Sequence, residues 1–463
     1  MTPKDLLVVN PYTEQVVFEV PMLDRGEVDK VVTRAREAYR TWRLSSMDER
    51  LELVARFLVE FEAIGDEVAL QITQQMGKPL RQAKGEVAGM LERARQMAAL
   101  AQETLADEYL TEKPGFIRYI RHEPLGVVLD IAAWNYPLLI AVNVVVPAVL
   151  AGNAVLLKHS SKTPLCGFAF TDAFRRAGAP QHLVQDIVAD HATTELLIQH
   201  PGVDHVSFTG SVRGGHEVVR SASGRFIDIG LELGGKDPAY VCADAPFEYA
   251  VENCVDGAFY NAGQSCCAVE RIYVDAAIYD DFVEAYAAQA RAYVMGDPMA
   301  ESTSLGPLAS QNALHFLKEQ TGEAVARGGR LVVDPEEFAL PETGWFAAPA
   351  VVADAPQGCM LMQEESFGPV VGILKVHGEV EAVHCMNDSP YGLTASIWTQ
   401  DPERAMRIGA QLETGTFYMN RCDYLDPMLP WTGVKDTGRG VSLSRYGLLQ
   451  LTRRKSMHLR VEV

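Results

Sequence analysis

Apolar residues recur at helical spacing through the first hundred positions. The stretches 26–45 and 46–106, rich in Ala, Glu, Arg and Leu, predict amphipathic helices. The period changes at 114–132, "PGFIRYIRHEPLGVVLDIA", where alternation and then an unbroken apolar run predict strands. An apolar helix is expected over 138–150, then a buried strand in "GNAVLLKHSSKTP" (152–164) and a helix from about 165. "LVQDIVAD", "TTELLIQHP" and "VDHVSFTGS" continue as strand, helix, strand, and a further helix opens near Arg213. Strand–helix alternation of this kind predicts a parallel, doubly wound α/β sheet. The pattern restarts after "IDIGLELGGKDPAYV" with helices near 246–262 and 278–294. Strands are expected at "RIYVD", "GRLVVD", "WFAAPAVVAD", "VVGILKV" and "ASIWTQ". A second α/β domain is therefore expected, with the boundary at a tight turn near Gly234–Gly235.

A chain of 463 residues is too long for one ordinary core, which agrees with two domains. The formal net charge of −20 argues against nucleic acid and anionic membranes as partners. The densest basic run, "LTRRKSMHLR" (451–460), alternates as a charged terminal strand does. "YPLLIAVNVVVPAVLAG" (136–152) is apolar but short and interrupted by Pro137, Asn143 and Pro147, so a buried helix is expected rather than a membrane span. The eight cysteines show no zinc-like spacing, so no metal site is expected. With no secretory leader evident at the N-terminus, reduced thiols and a cytoplasmic location are expected.

Several short stretches carry candidate chemistry, and each has a plainer alternative. "NAGQSCCAVERIYV" (261–274) places Cys266 and Cys267 between a glycine turn and a strand. A thiol there can be activated by backbone amides, or both can be small buried hydrophobes. Glu232, in "LELGGKDP", is either a buried carboxylate raised in pKa for general-base work or an edge-strand residue facing water. Asn135, in "AAWNYP", is either an oxyanion donor or a turn residue bonding its own backbone. Gly210 and Ser211 end a strand and open a helix. That turn suits a pyrophosphate, or simply packs helix on strand. Lys158 ends the run "AVLLK", where a ribose hydroxyl or only solvent can meet it.

Taken together and in order, these pieces resemble the aldehyde dehydrogenase superfamily over nearly the whole chain. The segments are "WN" (134–135), "FTGS" (208–211), "ELGGK" (232–236), "NAGQSC" (261–266), "EESFGPV" (364–370) and "PWTGVKDTGRG" (430–440). The resemblance implies a Rossmann-type cofactor domain (1–113 and 124–233) and an α/β catalytic domain (234–438). A small β oligomerisation arm (114–123 and 439–463) completes the fold, in dimers or tetramers. It implies Cys266 as nucleophile, Glu232 as general base and Asn135 as oxyanion donor, with Cys267 a packing neighbour. Trp134, Lys158, Ser161, Gly210, Ser211, Gly234, Glu365 and Phe367 are implied to contact NAD or NADP. The implied product is a free carboxylic acid, since members that release a coenzyme A ester need no water-activating glutamate. A catalytically silent relative is the opposing reading, and the intact set Cys266, Glu232 and Asn135 argues against it.

Three departures stand out. Ala133 precedes Trp134 where proline is frequent in the family. "HATTE" follows "IVAD" in place of a glycine-rich stretch. Ser161 occupies the position where NAD-preferring members carry a glutamate, with His159 and Lys162 nearby, so a 2′-phosphate is not repelled. Succinate semialdehyde dehydrogenases use two arginines at the positions of Asn143 and Tyr260, so that substrate is disfavoured. The loop "NRCDYLDPMLPW" offers Tyr424, Trp431, Asp423 and Asp426, and also carries Arg421. It suits a neutral aliphatic or aromatic aldehyde, or an amino aldehyde.

Overall fold

The computed structural model describes residues 5–462; the outer limits expected above, residues 1–4 and 463, lie outside the described residues. An N-terminal hairpin of Asp5–Val9 and Val16–Pro21 precedes four helices. The expected amphipathic stretch 46–106 is three helices, Met47–Ala63, Gly65–Met76 and Leu80–Thr104. The second break has a clear cause. Gly77 is left-handed (φ 82°), and a Cβ there would come within 2.7 Å of Pro307 Cγ, while Pro79 starts the next helix.

The first large sheet has six strands, in the order Gly438–Arg439, Asp228–Glu232, His205–Thr209, Val127–Ile131, Ala154–Lys158, Val184–Asp186. All pair in parallel except the two-residue strand Gly438–Arg439. Val127–Ile131 comes first in sequence and is flanked by later strands on both sides. The strand order therefore reverses beside it, which creates a crevice at the carboxyl ends of Val127–Ile131 and His205–Thr209. The apolar helix Pro137–Ala151 is almost wholly buried against this sheet.

The second large sheet has seven strands. Its centre is Val370–Val376, Val269–Asp275, Asp237–Val241 and Thr394–Trp398, all parallel. Four residues carry the chain from Glu232 in the first sheet to Asp237 in the second, through the Gly234–Gly235 turn. Thr452–Arg460 pairs antiparallel with Phe116–Pro124, and Glu108–Tyr109 completes a separate three-stranded sheet. Just before it, the helix Ser444–Gln450 packs on Leu80–Thr104 and Pro137–Ala151. Among the described residues no helix is long and apolar enough to cross a membrane.

Candidate active site

The two sheets meet around a cavity of about 300 Å³ that contains Cys266, Cys267 and Glu232 in its lining. One wall is a single face of the helix Leu80–Thr104. Gln82, Gly85, Glu86, Gly89 and Arg93 recur at three- and four-residue steps on it. The two glycines keep this wall open: a Cβ on Gly89 would come within 3.3 Å of Leu139. Asn143 and Tyr260 also line the cavity, with Asp423, Tyr424 and Trp431 from the late loop. Asp426 and Arg421 are not in its lining; the Arg421 guanidinium lies 3.3 Å from the centre of the Tyr424 ring.

The thiol turn is held by backbone rather than by bulk. Asn261 and Ala262 are left-handed (φ 52° and 55°), and a Cβ on Gly235 would come within 2.3 Å of the Cys266 carbonyl oxygen. The two thiols differ in their surroundings. Cys266 is partly open, whereas Cys267 is buried and donates to Asp423 Oδ1 at 2.9 Å. The hydrogen bond with Cys266, then burial, pushes the Cys267 thiol well above its ordinary pKa. Burial likewise pushes Asp423 up to about 7, against hydrogen bonds from Cys267 and Ser265.

Glu232 ends its strand and accepts a hydrogen bond from Ser442 Oγ on Oε1. Burial raises its pKa, while Ser442 and Arg93 oppose the rise. Asn135 is buried, and its side-chain amide has no protein partner among the described residues. Its carbonyl accepts from Lys78 Nζ at 2.8 Å and from Asn261 Nδ2 at 3.1 Å. Lys78 is itself ion-paired with Glu86 in a fully buried contact, and Glu86 Oε1 accepts from Leu138 N at 2.8 Å. Sequence reasoning missed Lys78, Glu86 and Arg93. Glu86 and Arg93 sit seven residues apart, on the stripe shared with buried Ala83, Met90 and Ala94. Charge on an apolar stripe was a readable signal.

The second group of expected residues gathers at the switch point. Trp134 follows Val127–Ile131, Lys158 ends Ala154–Lys158, and exposed Ser161 lies in the next turn. Burial lowers the pKa of Lys158. Lys162 is drawn back over the Trp134 ring and donates to the Ala309 carbonyl. Gly210 leads to Ser211, which caps the helix Val212–Ala222 by accepting from Gly214 N at 3.2 Å. Across the crevice, Trp134 meets Phe367 edge-on at 5.5 Å. Phe367 is left-handed (φ 52°) and donates its N–H to Glu270 Oε1 at 3.0 Å, and Glu270 is ion-paired with buried Lys236. Glu365 Oε1 accepts from Gly235 N at 3.1 Å, and burial then Glu270 push Glu365 up to about 8. A Cβ on Gly234 would lie 2.4 Å from Glu365 Oε2, so a larger residue there would have to displace the Glu365 carboxylate. A crevice at strand ends, a capped helix N-terminus and a glycine cradle fit a dinucleotide.

A profile of the Aldehyde dehydrogenase family matches residues 2–457. The chain belongs to the aldehyde dehydrogenase family. It is 36% identical to the NADP(+) succinate-semialdehyde dehydrogenase of Deinococcus radiodurans, over 96% of this chain and 93% of that one. It is 34% identical to the geranial dehydrogenase of Castellaniella defragrans, over 98% and 95%. The structure of 3,6-anhydro-L-galactose dehydrogenase in complex with NAP matches with a TM-score of 0.94 and 29% identity, over 98% and 96%. The enzyme is thus an NAD- or NADP-dependent aldehyde dehydrogenase with the expected fold.

Proposed function

We propose that Cys266 is the nucleophile, Glu232 the general base and Asn135 the oxyanion donor of an aldehyde oxidation that releases the free acid. The observation that carries this reading is the shared cavity, in which partly open Cys266 and buried, pKa-raised Glu232 both line one pocket. The Cys266 sulfur attacks the aldehyde carbon and forms a thiohemiacetal. The free Asn135 amide and the Cys266 backbone N–H stabilise its oxyanion, with Lys78 and Asn261 fixing the Asn135 backbone. Bound NAD or NADP supplies the hydride acceptor. Glu232 then takes a proton from the water that cleaves the Cys266 thioester, and its raised pKa suits that work near neutrality.

Trp134, Lys158, Ser161, Gly210, Ser211, Gly234, Glu365 and Phe367 would hold the cofactor. Ser161 and the absence of a carboxylate beside it leave NADP acceptable as well as NAD. The three-stranded sheet around Thr452–Arg460 is the proposed oligomerisation arm of a homodimer or homotetramer, and light scattering of the purified enzyme tests this. Eight free cysteines suit a reducing cytoplasm. The proposed chemistry is tested by following reduced cofactor in wild type, Cys266→Ser and Glu232→Gln. Cys266→Ser should lose turnover. Glu232→Gln should keep one fast burst and then stall. Full steady turnover in Cys266→Ser would overturn the reading.

A further inference from the structure

Among the described residues, the cavity that holds Cys266 is lined by five carboxylates and by one cation, Arg93. Three of the five, Glu86, Asp423 and Glu232, are committed, while Glu92 and Asp256 have no ion-pair partner among the described residues. Glu86 is bound to Lys78 and Leu138 N, Asp423 Oδ1 accepts from Ser265 and Cys267, and Glu232 is the proposed base. Arg93 is not committed. Its Nη1 donates to the Leu139 carbonyl at 3.1 Å and to Asn143 Oδ1 at 3.2 Å. Among the described residues Nε and Nη2 have no protein acceptor, so one edge of the guanidinium remains open. A guanidinium keeps its charge in such a site and offers a planar fork matched to a carboxylate.

The position carries a second meaning. Asn143 replaces one of the arginines that marked the disfavoured substrate, yet its side chain here orients an arginine delivered from the neighbouring helix. A cation has been supplied to the same part of the pocket from Leu80–Thr104 in place of Pro137–Ala151. Burial lowers the Arg93 pKa, opposed by the nearby charges of Glu232 and then of Cys267, Glu86 and Cys266, and Arg93 shares the cavity lining with all four. The reacting carbon and Arg93 therefore share one short cavity.

We propose that the open Nε/Nη2 edge of Arg93 receives the distal carboxylate of a short semialdehyde whose aldehyde carbon faces Cys266. The inference rests on the proposed roles of Cys266 and Glu232 and names their substrate class as carboxylated aldehydes. Neutral and amino aldehydes, favoured by composition of the late loop, become the competing substrates.

The test compares kcat/KM for succinate semialdehyde, butanal and 4-aminobutanal in wild type, Arg93→Gln and Arg93→Lys. Wild type should prefer the semialdehyde. The ratio of semialdehyde to butanal should fall about 10- to 100-fold in Arg93→Gln, mainly through KM, and less in Arg93→Lys. Calorimetric binding of succinate, which needs no turnover, should weaken at least about tenfold in Arg93→Gln. Asn143→Leu, which keeps the cation but removes its acceptor, guards against a misfolded Arg93 variant and should show a smaller loss of the same ratio. A wild-type preference for 4-aminobutanal, or an unchanged ratio in Arg93→Gln, overturns the proposal while leaving Cys266 chemistry standing. Absence of turnover with all three aldehydes, with succinate binding still dependent on Arg93, would instead count against the catalytic reading.

Discussion

Lys78 and Glu86 form an ion pair whose side chains are 0% and 2% exposed. Lys78→Met would leave the Glu86 carboxylate buried without its counter-charge. Breaking a pair in this way costs about 3–5 kcal/mol. Unfolding entropy of about 2.1 cal/mol/K per residue gives roughly 1 kcal/mol per degree for a chain of this length. The apparent melting midpoint should therefore fall by about 3–5 °C if the chain melts as one unit. Lys78→Met/Glu86→Gln removes both charges and keeps a carbonyl oxygen for Leu138 N, so most of that loss should return. Activity should not return, because both variants lack the Nζ donor to the Asn135 carbonyl and leave Asn261 to hold it alone. A loosened oxyanion donor should lower the burst rate by about 10- to 100-fold, below the full cost of deleting one. Circular dichroism melts and single-turnover formation of reduced cofactor measure the two effects separately. If the double variant recovered the burst rate together with the midpoint, Lys78 would be a packing residue and its role at Asn135 would fail.

Three further outcomes follow from the same geometry. Gly235→Ala should cut turnover severely, because the new Cβ meets the Cys266 carbonyl at 2.3 Å, and steady-state rates beside a near-native fold by circular dichroism would show this. Thioester hydrolysis needs the ionised form of Glu232, so its rate should rise with pH through a pKa above the ordinary carboxylate value. Ser442→Ala removes a hydrogen bond that lowers this pKa and should move the limb to still higher pH, as read from the pH dependence of deacylation. Ser161→Glu should reduce the NADP to NAD ratio of kcat/KM by about tenfold or more through repulsion of the 2′-phosphate; a ratio left as in wild type would dissociate Ser161 from that phosphate.

Much of the fold was legible because its signals are local. Unbroken apolar runs marked the central strands Val127–Ile131 and Ala154–Lys158, and the turn at Gly234–Gly235 marked the passage between sheets. The breaks at Gly65 and Gly77 are hidden because the apolar stripe continues across them, and the second is enforced in part by close packing on Pro307 and Pro11, which no local pattern shows. The N-terminal hairpin was too short to register, and the helix Gln311–Ala326 buries few residues, which weakens its pattern. At the site, Cys266, Glu232 and Asn135 stand in recognisable segments. Lys78 and Arg93 stand in no such segment: Arg93 shows only as a charge on an apolar stripe, and their partners lie 57 and 50 residues away, Asn135 in the turn before Pro137–Ala151 and Asn143 within that helix. The resemblance of "NAGQSC" already separates the two thiols, and the structure adds that Cys267 bonds Asp423 while Cys266 is partly open.

The most direct measurement is to trap the acyl-enzyme. Glu232→Gln would be mixed with NADP and butanal or succinate semialdehyde, quenched in acid, digested and mapped by mass spectrometry. One acyl group on Cys266, formed at the burst rate and absent from Cys266→Ser, is the predicted result. An acyl group on Cys267, or steady release of acid from Glu232→Gln with no trapped adduct, would contradict the assignment of nucleophile and base.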